Sequence, residues 1–155
     1  MADVVTKEVR SRMMANVRSK DTKPELVLRK GLHALGFRYR LHPKDMPGRP
    51  DVVLPKYRAV IQVQGCFWHG HDCPLFKWPS TRTEWWREKI TRNQERDGET
   101  TAALLAGGWR VLEVWECSMK GRGRRPAEDV VQAAAEWLRG DELVGHLRSH
   151  PDLST

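Results

Sequence analysis

The stretch Gly65-Cys66-Phe67-Trp68-His69-Gly70-His71-Asp72-Cys73 constrains this chain more than any other. Its nine residues hold two of the three cysteines and two of the six histidines. Thiols and imidazoles at such short spacing point to a metal. Cys117 is the one cysteine left over, and it follows a run that alternates as a strand. If that strand pairs near the loop, Cys66, Cys73, Cys117 and one imidazole complete a tetrahedral set of the kind zinc prefers. Four protein ligands leave no open position, so such an ion is structural. Spacing alone admits either His69 or His71 as the fourth ligand. The competing reading is three buried free thiols, since unpaired cysteine is commonly a core residue. An odd number of cysteines argues against a disulfide scaffold and for a reducing compartment.

Charge adds a partner class. Residues 1–50 hold 12 Lys/Arg against 5 Asp/Glu, and the remainder holds 15 of each, so the first third carries the whole surplus of 7. A field placed that way attracts a polyanion such as DNA or RNA, although a merely soluble basic surface looks the same. Residues 1–20 contain Lys7, Arg10, Arg12, Arg18 and Lys20 with few large apolar groups, and read as a basic arm outside the core. No run approaches a membrane span, and no apolar secretory segment opens the chain. At 155 residues one domain is expected, spanning 1–155, with 141–155 a tail of no strong pattern.

The expected elements alternate. Asp21 or Thr22 caps a helix, Pro24 suits its first turn, and Glu25 favours its positive end. Leu28, Leu32 and Leu35 form its buried stripe, and Gly36 ends it. Glu25 shares that inward face, where it serves the helix dipole or leans into a site. Phe37–Leu41 alternates as a strand. Asp51–Leu54 and Ala59–Gln64 form a hairpin across the turn at 55–58. Ala59, Ile61 and Val63 face one side of it, and Val60, Gln62 and Gln64 the other. A long helix runs from Thr83 to about Ala106, with Trp86, Ile90, Asn93, Asp97 and Leu104 on one face. A strand over 109–116 and a helix opening at Pro126 follow, the helix with Val130, Ala134 and Leu138 inward. This order predicts an α/β fold: a mixed sheet flanked by helices.

Within that frame a phosphodiester-cleaving site can be read. Pro50-Asp51 opens a strand, where a carboxylate can hold a hard cation such as Mg2+. In the wider Pro-Asp…(Asp/Glu)-x-Lys nuclease class the next strand supplies an acid and a lysine, but here those positions read Gln62-Val63-Gln64. By itself the Pro-Asp dipeptide is more often a plain turn. An imidazole changes charge near neutral pH, so His69 can take a proton from water. Asp97 can fix its tautomer, and Glu25 can orient water on the cation. Phe67, Trp68, Trp85 and Trp86 gather about the same loop. Phe67 and Trp68 cannot both turn inward easily, and apolar wedges that enter a base stack are established DNA-deforming chemistry. Trp86, Trp109, Trp115 and Trp137 read as core.

Taken together, Pro47-Gly48-Arg49-Pro50-Asp51, the Gly65–Cys73 loop, Thr81-Arg82-Thr83-Glu84, Glu95-Arg96-Asp97 and the run from Gly108 to Cys117 resemble the very short patch repair mismatch endonucleases of bacteria. The likeness covers nearly the whole chain. It implies a restriction-endonuclease-like fold, a variant of the Pro-Asp…(Asp/Glu)-x-Lys type with one structural zinc site. It implies an enzyme that nicks one strand 5′ to the thymine of a T:G mismatch left by deaminated 5-methylcytosine. By position, Asp51 is then the Mg2+ ligand, His69 the general base, Asp97 its partner and Glu25 a more distant carboxylate. Cys66, His71, Cys73 and Cys117 become the zinc set, and Phe67, Trp68 and Trp86 the intercalating residues. Family members often carry a histidine where this chain has Gln64, and glutamine cannot become cationic. The implied setting is the bacterial cytoplasm, acting on the nucleoid as a monomer, with mismatch-repair accessory proteins as further partners. The rival expectations are a zinc-braced module that binds DNA without cutting it, and a general nuclease of the same fold.

Overall fold

The structure, a computed structural model, describes residues 22–149. The basic arm expected over 1–20 and the last residues of the expected tail lie outside them. Helix α1 (Lys23–Ala34) starts where the sequence places it, with Pro24 and Glu25 in its first turn. It ends on Gly36, which takes φ +97. The Gly36 N–H donates to His33 O at 3.0 Å and the Phe37 N–H to Leu32 O at 3.0 Å. These paired bonds satisfy the last carbonyls and swing the chain toward the sheet. The turn comes one residue after Leu35, so Leu35 sits at the cap, 44% exposed, and does not join the buried stripe expected of it. Phe37 fills that position instead at 3% exposure.

Five strands form one sheet in chain order: β1 (Arg40–Leu41), β2 (Val52–Leu54), β3 (Ala59–Gln64), β4 (Arg110–Trp115) and β5 (Val144–Leu147). The expected strand over 37–41 shortens to its last two residues. The first three strands are antiparallel neighbours, and β3, β4 and β5 run parallel. The expected mixed sheet is therefore present. Its parallel half needs crossover helices. Helix α2 (Thr83–Ala106) links β3 to β4, and α3 (Ala127–Arg139) links β4 to β5. Helix α2 ends as α1 does: Gly108 takes φ +85, its N–H donates to Leu105 O, and Trp109 N–H donates to Leu104 O.

The alternation of β3 divides the core as expected. Ala59 and Ile61 pack with Leu28 and Leu32 of α1 and with Val130, Ala134 and Leu138 of α3. Val60 packs on the opposite face with Val53, Val111 and Leu104 of α2. Helices α1 and α3 can lie close because Gly31 has no side chain. A β-carbon there would fall 2.6 Å from a Val131 methyl.

A further element departs from the sequence reading. Residues from 141 onward, expected as a patternless tail, include β5, which pairs Val111 with Val144 and Glu113 with His146. Its side chains lack apolar alternation, and its stability comes from the β4 ladder and from Gly145. A β-carbon at Gly145 would meet Trp137 Nε1 at 2.4 Å.

Candidate active site and metal centre

The Cys/His set assembles at the C-terminal ends of β3 and β4. Cys66 follows β3, and Cys117 lies in the short 3-10 turn Glu116–Ser118 that follows β4. Those strands pair in parallel up to Gln64 and Trp115, so both cysteines leave the sheet side by side. Ligand atoms of Cys66, His71, Cys73 and Cys117 all lie within 4.8 Å of one another. His71 Nδ1 stands 3.6 Å from Cys66 Sγ and 3.5 Å from Cys117 Sγ. A tetrahedral ion with Zn–S near 2.3 Å and Zn–N near 2.05 Å has sulfur–nitrogen edges of about 3.6 Å. The spacing therefore fits a four-coordinate ion, and these residues can hold a metal.

Backbone groups support the sulfurs. Backbone N–H groups of Cys117 and Ser149 each donate to sulfur at 3.3 Å, the first to Cys66 and the second to Cys117. The hydrogen bond from Cys66 holds the Cys117 thiol down to about 5 against the opposing effect of burial. The same bond, aided by burial, pushes the Cys66 thiol up. Burial raises half-buried Cys73 and lowers His71, which keeps the imidazole neutral as a ligand must be. Trp115, read from sequence as core, stacks on the His71 ring at 3.9 Å and 7°. The chain after β5 closes the far side. Arg148 donates to Asp72 Oδ1 at 2.7 Å and to Asp72 O at 3.0 Å.

Gly70 separates the two histidines. It takes φ +58, and a β-carbon there would lie 2.6 Å from Gln94 Nε2 and 2.7 Å from an Ile90 methyl. Helix α2 grips the backbone on either side. Asn93 donates to Trp68 O at 2.8 Å, and Gln94 donates to His69 O at 3.2 Å and Gly70 O at 3.3 Å. One turn on, Asp97 Oδ2 meets His69 Nδ1 in a short hydrogen bond. His69 thus engages α2 while His71 engages the sulfurs. Glu113, on β4, lies within electrostatic reach of Asp97 and His69 and pairs with His146 at 3.1 Å. Burial raises its carboxyl. The sequence reading gave Glu113 no role, because it is an ordinary polar residue in strand alternation.

A second cluster forms where α1 meets the hairpin. Asp51, just before β2, is 8% exposed, and Glu25 is 1% exposed. The Val63 N–H donates to Asp51 Oδ2 at 2.7 Å, and Arg29 donates to Glu25 Oε2 at 2.6 Å. His42 Nε2 lies 3.1 Å from Glu25 Oε2 and 3.7 Å from Asp51 Oδ1. Glu25 therefore points inward, against His42 and Arg29. Burial, reinforced by the Glu25 charge, pushes Asp51 up to about 7 against the pull of the Val63 N–H. Glu25, His42 and Asp51 form the second metal-capable group among the described residues. His42 was missed in the sequence, where it reads as one loop residue before Pro43. Gln64 ends β3 one residue past Val63, opposite Trp115.

The aromatic residues meet as expected and extend further. Phe67 lies 5.3 Å from Trp68 and 5.2 Å from Trp86, ring centre to ring centre. Trp86 is half-buried, touches Trp68 at 5.8 Å, and is not a core residue. Phe76 and Trp78, unassigned from sequence, continue the cluster beyond Phe67. Trp78 and Trp85 are 42% and 43% exposed, with Arg87 over the first and Arg82 over the second.

Comparison with known proteins bears on this arrangement. The family model described as DNA mismatch endonuclease Vsr matches residues 2–75. The DNA mismatch endonuclease Vsr of Escherichia coli (strain K12) is 45% identical over 141 residues, covering 91% of this chain and 90% of that protein. The type II nicking enzyme V.XorIIP of Xanthomonas oryzae pv. oryzae is 48% identical over 123 residues, covering 79% and 90%. The type II nicking enzyme V.NmeAIP of Neisseria meningitidis is 45% identical over 122 residues, covering 79% and 87%. With identity at this level over most of each relative, added to the paired histidines and the sheet that positions them, this chain belongs to the Vsr DNA mismatch endonuclease family.

Proposed function

We propose that this enzyme nicks one strand of duplex DNA 5′ to the thymine of a T:G mismatch, with Mg2+ at the Asp51 corner and Zn2+ in the Cys/His set. The sheet is read as a restriction-endonuclease variant lacking the acid and lysine of its second catalytic strand. Residues 1–155 are read as one endonuclease domain with a DNA-contacting basic arm at 1–20, acting as a monomer. The observation that carries this is the His69–Asp97 hydrogen bond on a loop that also bears Phe67 and Trp68. That loop has the sulfurs at its ends and is held in its middle by α2.

The roles follow from which atoms are engaged. Asp97 holds His69 Nδ1, which leaves Nε2 to accept a proton from the attacking water. The water oxygen forms a bond to phosphorus, and the ester bond to the leaving oxygen breaks. A divalent ion, when bound by Asp51, polarises the phosphate and offsets developing negative charge. Glu25 shares that corner and orients water. Gln64 offers the phosphate a neutral hydrogen bond where many relatives have a histidine. Phe67, Trp68 and Trp86 enter the stack beside the mismatch, which costs less to unstack than a matched pair. The zinc-type centre supplies rigidity to this wedge.

Two matched assays test the reading. A T:G duplex and a T:A duplex of the same sequence are incubated with enzyme and Mg2+, and the nick is mapped. Cleavage of the T:G strand alone, 5′ to the thymine, is expected. Equal rates on both duplexes would reject mismatch specificity, and binding without cleavage would make the chain a DNA-binding module.

Mg2+ binding carries a pH dependence of defined sign. Folding raises the Asp51 carboxyl from 3.8 to about 7. The metal-free folded protein therefore keeps a proton that the unfolded chain has released. That contribution to stability is complete below pH 3.8 and is lost as pH rises through about 7. The cation must displace the same proton. Its affinity, measured by calorimetry in two buffers of different ionisation enthalpy, is expected to be about tenfold weaker at pH 6 than at pH 8, with proton release at pH 6. Equal affinity at both values would show that the ion displaces no proton from Asp51 in this range.

A further inference from the structure

His42 opens the loop between β1 and β2 in a conformation that residues with a β-carbon avoid. Its φ is +47, in the left-handed region that favours glycine. Such a conformation persists only where its surroundings hold it, and residues held this way gather at functional sites. Here the hold is visible. The His42 N–H donates to Asp51 O at 3.3 Å, tying the loop residue to the strand opening. The imidazole is turned into the gap between the two carboxylates, with its side chain 17% exposed. Nε2 stands 3.2 Å from Glu25 Oε1, 3.1 Å from Glu25 Oε2 and 3.7 Å from Asp51 Oδ1.

The two separations from Glu25 are close to the edge of an octahedron, and the 3.7 Å gap to Asp51 Oδ1 is wider. Adjacent ligands at metal–ligand distances near 2.1 Å are about 3.0 Å apart. The donor set is two carboxylates and one imidazole, each placed by a different part of the fold: α1, the β1–β2 loop and the start of β2. Carboxylates alone suit Mg2+, whereas an imidazole nitrogen favours transition metals. We infer that His42 is a direct ligand of the catalytic cation, so that Glu25, His42 and Asp51 form an oxygen–nitrogen–oxygen set that binds Mn2+ in preference to Mg2+. This depends on the Asp51 corner being the nuclease's metal site.

The test uses full-length, zinc-loaded protein without DNA and Mn2+ as the probe. Free Mn2+ is followed by electron paramagnetic resonance, and Mg2+ affinity by competition. Asparagine tolerates the left-handed region better than other residues with a β-carbon, so His42→Asn preserves the loop, and His42→Gln provides a second replacement. Mn2+ affinity is expected to fall about tenfold or more in both variants, with Mg2+ affinity falling less. Spin-echo spectra of the Mn2+-loaded wild type are expected to show nitrogen modulation that both variants lose. A wild type that binds Mn2+ without nitrogen modulation overturns the inference, and needs no variant to fold. Equal weakening of Mn2+ and Mg2+ also overturns it, reducing His42 to a positioning residue. In either case, Mn2+ binding that Asp51→Asn abolishes leaves the metal reading of the corner standing. Mn2+ binding untouched by Asp51→Asn removes both.

Discussion

Asp51→Asn is expected to lower nicking of a T:G duplex by about a thousandfold or more while the protein still binds that duplex. A bound cation supplies several kcal/mol of charge stabilisation to phosphodiester cleavage, and each 1.4 kcal/mol is about a tenfold in rate. Asparagine keeps the shape and an oxygen for the Val63 N–H that now donates at 2.7 Å, so the hairpin should survive. It removes the charge that a cation needs. Stability should move the other way. Burial opposes ionisation of Asp51, so an uncharged replacement is expected to make the metal-free protein more stable at pH 8 than the wild type, and no less stable at acid pH. Thermal unfolding without added Mg2+, beside single-turnover nicking and gel-shift binding, would show the split. Retained nicking would sink the assignment of Asp51, and lost binding would show that its role lies in the DNA interface.

The second large effect is expected from Cys117→Ser. Purified wild type should carry one zinc per chain by elemental analysis, and the variant close to none. Its melting temperature should fall by on the order of 10 °C or more, because metal-site binding energy is folding energy. The loss reaches beyond the ligands. Cys117 Sγ accepts the Ser149 N–H and faces His71, while the Cys117 N–H donates to Cys66 Sγ, so one sulfur helps to join β4, the loop and the chain after β5. Nicking should fall with it, since Phe67, Trp68 and His69 ride on the loop that Cys66, His71 and Cys73 anchor. Stripping the ion from the wild type with a strong chelator should reproduce the variant. A wild type that is folded, active and free of zinc would defeat the claim.

How much of this could be read in the chain itself varies by residue. The helix start at Thr22-Lys23-Pro24-Glu25, the hairpin over 51–64 and the long helix beginning at Thr83 carry local signals, and all appear. Leu35 misleads because helical spacing continues past the point where Gly36 turns the chain away. The strand Val144–Leu147 could not be read, since its pattern is set by a neighbour far away in sequence and by the room Gly145 leaves for Trp137. His42 is invisible for the same reason. Nothing beside it marks a ligand, and its neighbours Glu25 and Asp51 come from a helix and a strand.

The opening loop shows the division most sharply. Residue types and spacing alone established that Gly65–Cys73 together with Cys117 offers one more Cys/His donor than a tetrahedral ion takes, next to aromatic groups that cannot both turn inward easily. They left His69 and His71 interchangeable as donors. Tertiary structure separates them. Parallel pairing of β3 and β4 brings Cys117 beside Cys66, and the face of α2 brings Asn93 and Gln94 against the loop backbone and Asp97 against the His69 ring. Gly70, left-handed and pressed on Ile90 and Gln94, lets the chain reverse between the two rings. A donor's identity is a property of its side chain, but the partner it meets depends on contacts made across the fold.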